Sequence, residues 1–536
     1  MARVADGVAG AAGLIAVVTL AARAAGFART LVFAEGVRAA GVGEAYNAVN
    51  AVPNVLYEVA AGGALAAVAI PLVAGHLARG SDEDAHRVGS ALLTWALTIL
   101  VPLAVVVFLA AGPLARWLVG AQVPSGVVVG TQMLRVFAWQ IPLYGVGVVL
   151  GGVLQAHRRF LGPALAPLLS SLVVIVTYAV YGYVVHGRTT GVGVGPIALL
   201  AWGTTLGVAA LSLPLLVPAV RAGWRWRPTW AFPPGESVRV RALAGAGLLA
   251  LAAQQAALLV TIWLANHRGG GAGTLSVYNW VQAVYLLPYA VLAVPLATAA
   301  FPTLAAGAAV DDVGSTAGML ARAVKVLILM SGLGAVVLVA AAPWVGAFFG
   351  DLDARRGGGS VSGSAVPAMA VALQAFAPGL VGFAVSALLV RALYVRGHAV
   401  AAGAAIGLGW AVSALGPLVQ LREASSARHV LVILGAWSSL GMTIAACALA
   451  LLVRHEWGPA GLAGAPRTVG VVALPIALAV IVARLWLPDA TAGGGLLASL
   501  LLSVVVGLLV GLTVLAWARL ADAPTVRLIR IRRTAP

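Results

Sequence analysis

Charge is what this chain has least of. Of its 536 residues only 16 are Asp or Glu and 33 are Lys or Arg, so charged side chains make up 9%. That scarcity excludes an ordinary soluble domain, in which about a quarter of residues are charged. Cysteine is almost absent as well. Cys447 stands alone, which excludes an intramolecular disulfide and a thiolate metal cage, and its apolar surroundings predict a small core thiol. The eight histidines, among them His76, His86 and His157, are scattered without ligand spacing, so no metal and no cofactor is expected. The acidic residues Asp351 and Asp353 fall between apolar runs and read as solvated charges. With no large polar segment to house chemistry, an enzyme is not expected.

What fills the chain instead is apolar: 62% of residues are hydrophobic and mean hydropathy is +1.02. Runs of about 20 apolar residues predict membrane-spanning helices. About fourteen are expected, at 8–34, 46–77, 88–114, 128–155, 160–185, 192–219, 240–266, 275–305, 320–349, 364–390, 397–420, 429–453, 467–487 and 492–518. The first run is too long for a cleavable signal and contains two arginines, which predicts a retained helix. The net charge of +17 does not indicate nucleic-acid binding, because the basic residues lie singly or in pairs between apolar runs. Counted over alternating connections, segments on the side of the N-terminus carry more than twice the basic residues of the other side. Both termini are therefore expected in the cytoplasm, with an even number of spans.

The longest inner connection, 221–242, is rich in Trp, Arg and Pro. It reads as a linker between an N-lobe (1–220) and a C-lobe (243–455), in the layout of a transporter with internal repeats. Its Trp and Arg residues also suit a piece lying in the headgroup region. Two more helices (456–520) and a basic tail (521–536) follow, the tail suited to anionic lipid.

Arg23 and Arg29 lie inside the first apolar run. A charge near the bilayer centre costs roughly 2.5–3.5 kcal/mol on insertion scales, so two in one helix mark a cationic site facing inward. A spacing of six residues separates them by roughly 120° around the helix, within one broad cavity face. The alternative is that Arg29 snorkels to an interface while Arg23 pairs with a neighbouring carboxylate. Asn50, Asn54, Gln140, Gln254, Gln255, Asn279 and Gln282 are polar groups at membrane depth, suited either to a polar cargo or to helix–helix hydrogen bonds. Glu58 either pairs with Arg23 or Arg29 when the site is empty, or serves as a proton or cation site. Arg135 reads as an interface residue.

Three stretches carry distinctive motifs. Residues 26–73 hold GFAR (26–29), Glu44 and Tyr46, Pro53–Asn54, and GGAL followed by Ile70–Pro71. Residues 150–175 hold LQAHRRF leading into PALAP. Residues 285–304 hold LPYAV and a closing Pro302-x-Leu304. Together they resemble the MurJ (MviN) family of bacterial lipid II flippases, within the multidrug/oligosaccharidyl-lipid/polysaccharide exporter superfamily. The resemblance covers most of the first twelve spans. It implies an all-α polytopic membrane protein, with two pseudo-symmetric six-helix lobes around a central cavity plus two C-terminal helices. It also implies lipid II as cargo, residence in a bacterial cytoplasmic membrane, and membrane lipids and cell-wall synthesis proteins as partners. Arg23 and Arg29 match the family's helix-1 arginines. Tyr57, before Glu58, and Ala283, after Gln282, occupy positions where many members carry further arginines. The alternatives are a flippase or antiporter of the same superfamily for another polyprenyl-linked glycan or amphiphile, and a non-transporting envelope scaffold.

Overall fold

In hydrocarbon every backbone amide has to find its partner within the protein, which turns long apolar runs into helices. The computed structural model describes residues 2–59, 66–120, 125–233, 248–309, 313–356, 363–486 and 495–529. Among these residues the chain is helical, and extended pairing is limited to isolated bridges of Gly269 with Ser425 and Ala272 with Ser364.

In chain order the helices are α1 (Ala2–Gly36), α2 (Val42–Tyr57), α3 (Ala66–Ala78), α4 (Asp82–Leu109), α5 (Ala111–Val119), α6 (Gly126–Phe137), α7 (Gln140–Ala156), α8 (Leu161–Val185), α9 (Val194–Ser212) and α10 (Leu216–Arg221). They continue as α11 (Leu248–Arg268), α12 (Thr274–Pro288), α13 (Val294–Ala309), α14 (Val313–Ala354), α15 (Met369–Phe376), α16 (Gly379–Val395), α17 (Ala399–Gln420), α18 (Ala427–Trp457), α19 (Ala465–Trp486), α20 (Gly495–Ala521) and α21 (Ala523–Ile529).

Among the described residues eleven helical segments are long and apolar enough to cross a bilayer, or twelve with the pair 366–376 and 379–395, bent by 51°. The chain is an all-α polytopic membrane protein. The two expected spans outside that count are 46–77 and 240–266. The first changes to π-helical geometry at Glu58 and Val59 and then leaves the described residues, and the second begins outside them.

The chain divides into two compact units, one of residues 1–255 with 353–362, the other of 256–352 with 363–536. The boundary between them falls inside α11. Each unit packs through small residues, as helices do where lipid is as apolar as leucine. In the first, α1 meets α8 at Gly36 and Gly182, where a Cβ on Gly182 would lie 2.6 Å from the Gly36 Cα. In the second, a Cβ on Gly409 of α17 would lie 2.6 Å from the Gly441 carbonyl of α18.

Arg135 is exposed, its guanidinium 5.9 Å from the centre of the Phe108 ring. Cys447 corrects the expectation of a core thiol. It is exposed and lines an apolar cavity of about 690 Å³ within the second unit, since it faces outward from α18 toward α19. In the tail, residues 523–529 form α21, while 530–536 lie outside the described residues.

Candidate functional site

The Gly36–Gly182 approach brings the end of α1 against the C-terminal turns of α8. Phe33, one turn after Arg29, then stacks edge-on against Tyr178 at 5.2 Å and tilts against Tyr46 at 5.5 Å. Tyr46 meets Phe137 of α6 at a right angle. The hydroxyls inside this cluster have a direction. Thr204 donates to the Leu200 carbonyl (2.7 Å), so it accepts from Tyr46 (3.0 Å), and Tyr46 accepts from Tyr178 (2.7 Å). The chain Tyr178→Tyr46→Thr204→Leu200 leaves the Tyr178 oxygen with lone pairs to offer a cation. Arg29 lies within electrostatic range of Tyr46, Tyr144 and Tyr178. Its side chain is exposed and makes no ion pair among the described residues. A guanidinium exposed at membrane depth needs water or an anion beside it.

α2 supplies the second wall. Asn50, Asn54, Tyr57 and Glu58 follow helical spacing, so they form one polar stripe. Tyr144 of α7 donates to Asn54 Oδ1 (2.9 Å) and packs against Tyr57 with ring centres 4.5 Å apart. Tyr144 is also within electrostatic range of Glu58. The Asn50 Oδ1 is buried without a hydrogen-bond partner among the described residues. Glu58 is exposed at the π-helical turn that follows α2, five residues after Pro53. Proline removes a backbone donor, and π turns recur at functional sites.

Arg29, Asn54 and Glu58 are therefore brought to one aromatic cluster by Tyr144, a residue that the sequence reading missed. A tyrosine in an apolar span looks like core, and its only signal is position. Arg23 is exposed, about one and two-thirds turns earlier on α1. Glu58 forms no ion pair with Arg23 or Arg29; its electrostatic neighbours are Tyr57 and Tyr144. Gln140 is fully buried and donates to Thr205 Oγ1 (3.1 Å), so it acts as helix–helix glue. In α11 Gln255 is buried and Gln254 half-buried. In the second unit Asn279 and Gln282 are half-buried on α12, and Tyr278 is hydrogen-bonded to Gln282 and Thr261.

The reading of Asp353 as a solvated charge is overturned. Its carboxylate is 4% exposed, accepts from the Ala39 amide at 2.7 Å and lies 3.4 Å from Arg38 Nη2. Arg38 is itself 3% exposed and also donates to the Gly187 carbonyl at 3.0 Å. Nearby, Glu35 pairs with Arg356 at 3.0 Å and Arg355 at 3.8 Å. The loop 37–41 cannot satisfy its own polar groups, and the carboxylate supplies what it lacks. Asp351 accepts from Ser499 at 3.5 Å.

The cavity in the second unit is apolar throughout except for Thr443 and Cys447. Its walls come from α14, α16, α18 and α19, including Val324, Val385, Leu389 and Ile476. No group of three or more His, Cys, Asp or Glu suited to a metal occurs among the described residues.

Comparisons with known proteins agree with this layout. A protein of Burkholderia cenocepacia, Lipid II flippase MurJ, is 26% identical over 402 residues, covering 70% of this chain and 71% of the relative. One of Rhizobium meliloti, Probable lipid II flippase MurJ, is 25% identical over 342 residues, covering 62% and 61%. Among solved structures, Lipid II flippase MurJ in its inward closed conformation superposes with a TM-score of 0.72 at 14% identity, over 96% of this chain and 100% of that one. An inward-facing multidrug resistance MATE family transporter of the MOP superfamily reaches 0.63 at 16% identity, over 83% and 98%, and shares the fold. The family model described as Lipid II flippase MurJ matches residues 34–506, most of the length of this sequence, and the chain belongs to that family.

Proposed function

We propose that the chain moves lipid II from the inner to the outer leaflet of a bacterial cytoplasmic membrane, with both termini in the cytoplasm. The observation that carries the reading is Arg29, an exposed cation at membrane depth without an ion pair among the described residues, within electrostatic range of Tyr46, Tyr144 and Tyr178. A diphosphate is an anion that cannot cross hydrocarbon without compensating charge, and the guanidinium fork fits phosphate oxygens bidentately. Arg23 supplies a second positive charge on the same helix. Asn50 offers an unsatisfied acceptor, while Asn54, Glu58, Gln254, Gln255, Asn279 and Gln282 are proposed contacts for sugar and peptide.

An inside-negative potential favours outward movement of each negative charge by about 2.3 kcal/mol per 100 mV. The site therefore needs only enough affinity to load the headgroup, since the field helps release it. The apolar cavity of the second unit suits a polyisoprenyl tail, which has no polar group to satisfy. Transport through alternating access of two lobes, rather than chemistry on the cargo, is the proposed mechanism.

The test is translocation of fluorescent lipid II in vesicles reconstituted with the purified chain. Movement of the headgroup to the opposite leaflet, lost in Arg29→Ala with normal insertion, is the expected result. Equal movement in the variant would remove Arg29 from the path, and none in the wild type would reject the cargo.

A further inference from the structure

The linker after α10 is not a loose connection. Residues 224–231 run along the outer face of α4 as an extended strap. Trp224 anchors it, buried to 1% exposure with its ring against Gly89. Beyond Trp224 the strap climbs a ladder of hydroxyls spaced one helical turn apart. Ser90 Oγ accepts from the Arg227 amide (3.2 Å). Thr94 Oγ1 accepts from both the Thr229 amide and the Trp226 indole (3.2 Å each), while donating to the Ser90 carbonyl. Thr98 Oγ1 accepts from the Trp230 indole (3.2 Å), and the Trp95 indole returns a bond to the Trp230 carbonyl (3.0 Å). Thr94 thus uses its single proton and both lone pairs. An extended backbone persists beside hydrocarbon only if its amides are satisfied in this way.

The indole N–H groups of Trp95, Trp226 and Trp230 all point into the protein, yet these residues are 41%, 45% and 61% exposed. What they leave outside is ring face, an apolar surface. From Ser90 to Thr98 is about 12 Å along α4. Over about 24 Å, as far as Val106, the surface changes from Arg225 and Arg227, both exposed, to the three tryptophans, and then to the exposed Ile99, Val105 and Val106. No carboxylate pairs with either arginine among the described residues. The gradient from cation to indole to aliphatic matches a phospholipid from phosphate to glycerol to acyl chain.

We infer that the strap and α4 form a binding site for an anionic phospholipid of the surrounding bilayer, with Arg225 and Arg227 at its phosphate and Trp95, Trp226 and Trp230 along its upper acyl chains. Ser90, Thr94 and Thr98 are positioning residues that hold the strap in register. The site needs no particular cargo.

The test is native mass spectrometry of the full chain in detergent, titrated with phosphatidylglycerol or with phosphatidylcholine, in the absence of any polyprenyl lipid. The wild type should retain phosphatidylglycerol in preference. Arg225→Gln with Arg227→Gln should weaken phosphatidylglycerol roughly thirtyfold, about fivefold for each arginine, and leave phosphatidylcholine unchanged. Thr94→Val, which keeps both arginines but removes two acceptors, should also lower phosphatidylglycerol retention and expose the linker to protease. Equal phosphatidylglycerol affinity in the arginine variant would overturn the lipid site and leave the patch to a soluble partner. Full retention in Thr94→Val would overturn the positioning role. Both variants alter exposed or hydroxyl positions, and an unchanged thermal midpoint of the arginine variant excludes misfolding as the cause.

Discussion

Replacing Asp353 with alanine removes two buried contacts together, and the structure sets the size of the loss. The Ala39 amide, 2.7 Å from Oδ1, would be left without its acceptor, which costs about 1–3 kcal/mol. Arg38, almost fully buried, would lose the carboxylate while keeping its bond to the Gly187 carbonyl. Stripping one partner from a buried pair costs about 3–5 kcal/mol, because the other charge remains. The 3.4 Å approach of Arg38 is longer than the 2.7–2.9 Å typical of charge-assisted bonds, so the total should fall near about 4 kcal/mol. Asp353→Asn keeps a carbonyl oxygen for Ala39 and should lose about 1–3 kcal/mol less. Arg38→Met combined with Asp353→Leu removes both charges and should recover most of the loss of either single change. Thermal unfolding of the purified protein in detergent, followed by tryptophan fluorescence for Asp353→Ala, Asp353→Asn, Arg38→Met, Asp353→Leu and the double variant, measures this ordering. A double variant no more stable than the sum of the single losses would refute the pairing. An Asp353→Ala protein as stable as the wild type would refute its burial.

At the proposed site, Arg29→Ala should abolish lipid II movement in vesicles, while Arg29→Lys should keep a fraction of it, since the charge survives without the bidentate fork. Tyr144→Phe removes the donor to Asn54 and should cost about 0.5–1.5 kcal/mol of lipid II affinity or of stability, read by titration and melting of the same sample. Glu58→Gln removes the acid within electrostatic range of Tyr144 and should tighten headgroup binding while slowing turnover; unaltered binding with lost gradient dependence would instead identify a coupling carboxylate. Burial opposes the charge of Asp522, but hydrogen bonds from Thr468 and Thr525, with Arg467 nearby, hold its carboxyl below the usual carboxylate range. Its contribution to holding α21 is therefore complete above about pH 4 and fades as pH falls through the lowered value, an acid step in hydrogen exchange that Asp522→Asn should lack.

The helical membrane fold was legible because hydropathy over twenty residues is a strong signal, and α4, α8, α9, α17 and α18 lie close to their expected spans. Arg29 was legible for the same reason, as a charge in an apolar run stands out. The π-helical turns at 58–59 and 289–293 were not, since hydropathy does not register how a backbone is wound. Tyr144 and Tyr178 were hidden because tyrosine is common in membrane cores, and only the fold reveals that their hydroxyls converge. Asp353 was misread for a reason of distance. Its partner Arg38 lies 315 positions away in the chain, and a carboxylate without a visible cation looks solvated. Cys447 was misread because apolar surroundings in a membrane protein include the outside.

Each of the two units contains a broken helix, and the two breaks differ in their polar surroundings. α2 carries Pro53 and changes to π geometry at Glu58, while α12 ends at Pro288 and passes into the π turn 289–293. Interruptions at corresponding positions of two repeats mark where transporters place their cargo. Yet the polar groups next to them differ in kind. In the first unit the interruption follows a stripe ending in Glu58, within reach of a cluster that also feels Arg29. In the second, α12 offers the amides of Asn279 and Gln282, with Ala283 where the family often has an arginine. Amides recognise hydroxyls and peptide groups but give a dianion no net charge. Under the proposed function the counter-charge for a diphosphate rests on α1, and the amides of α12 suit neutral hydroxyl and peptide groups.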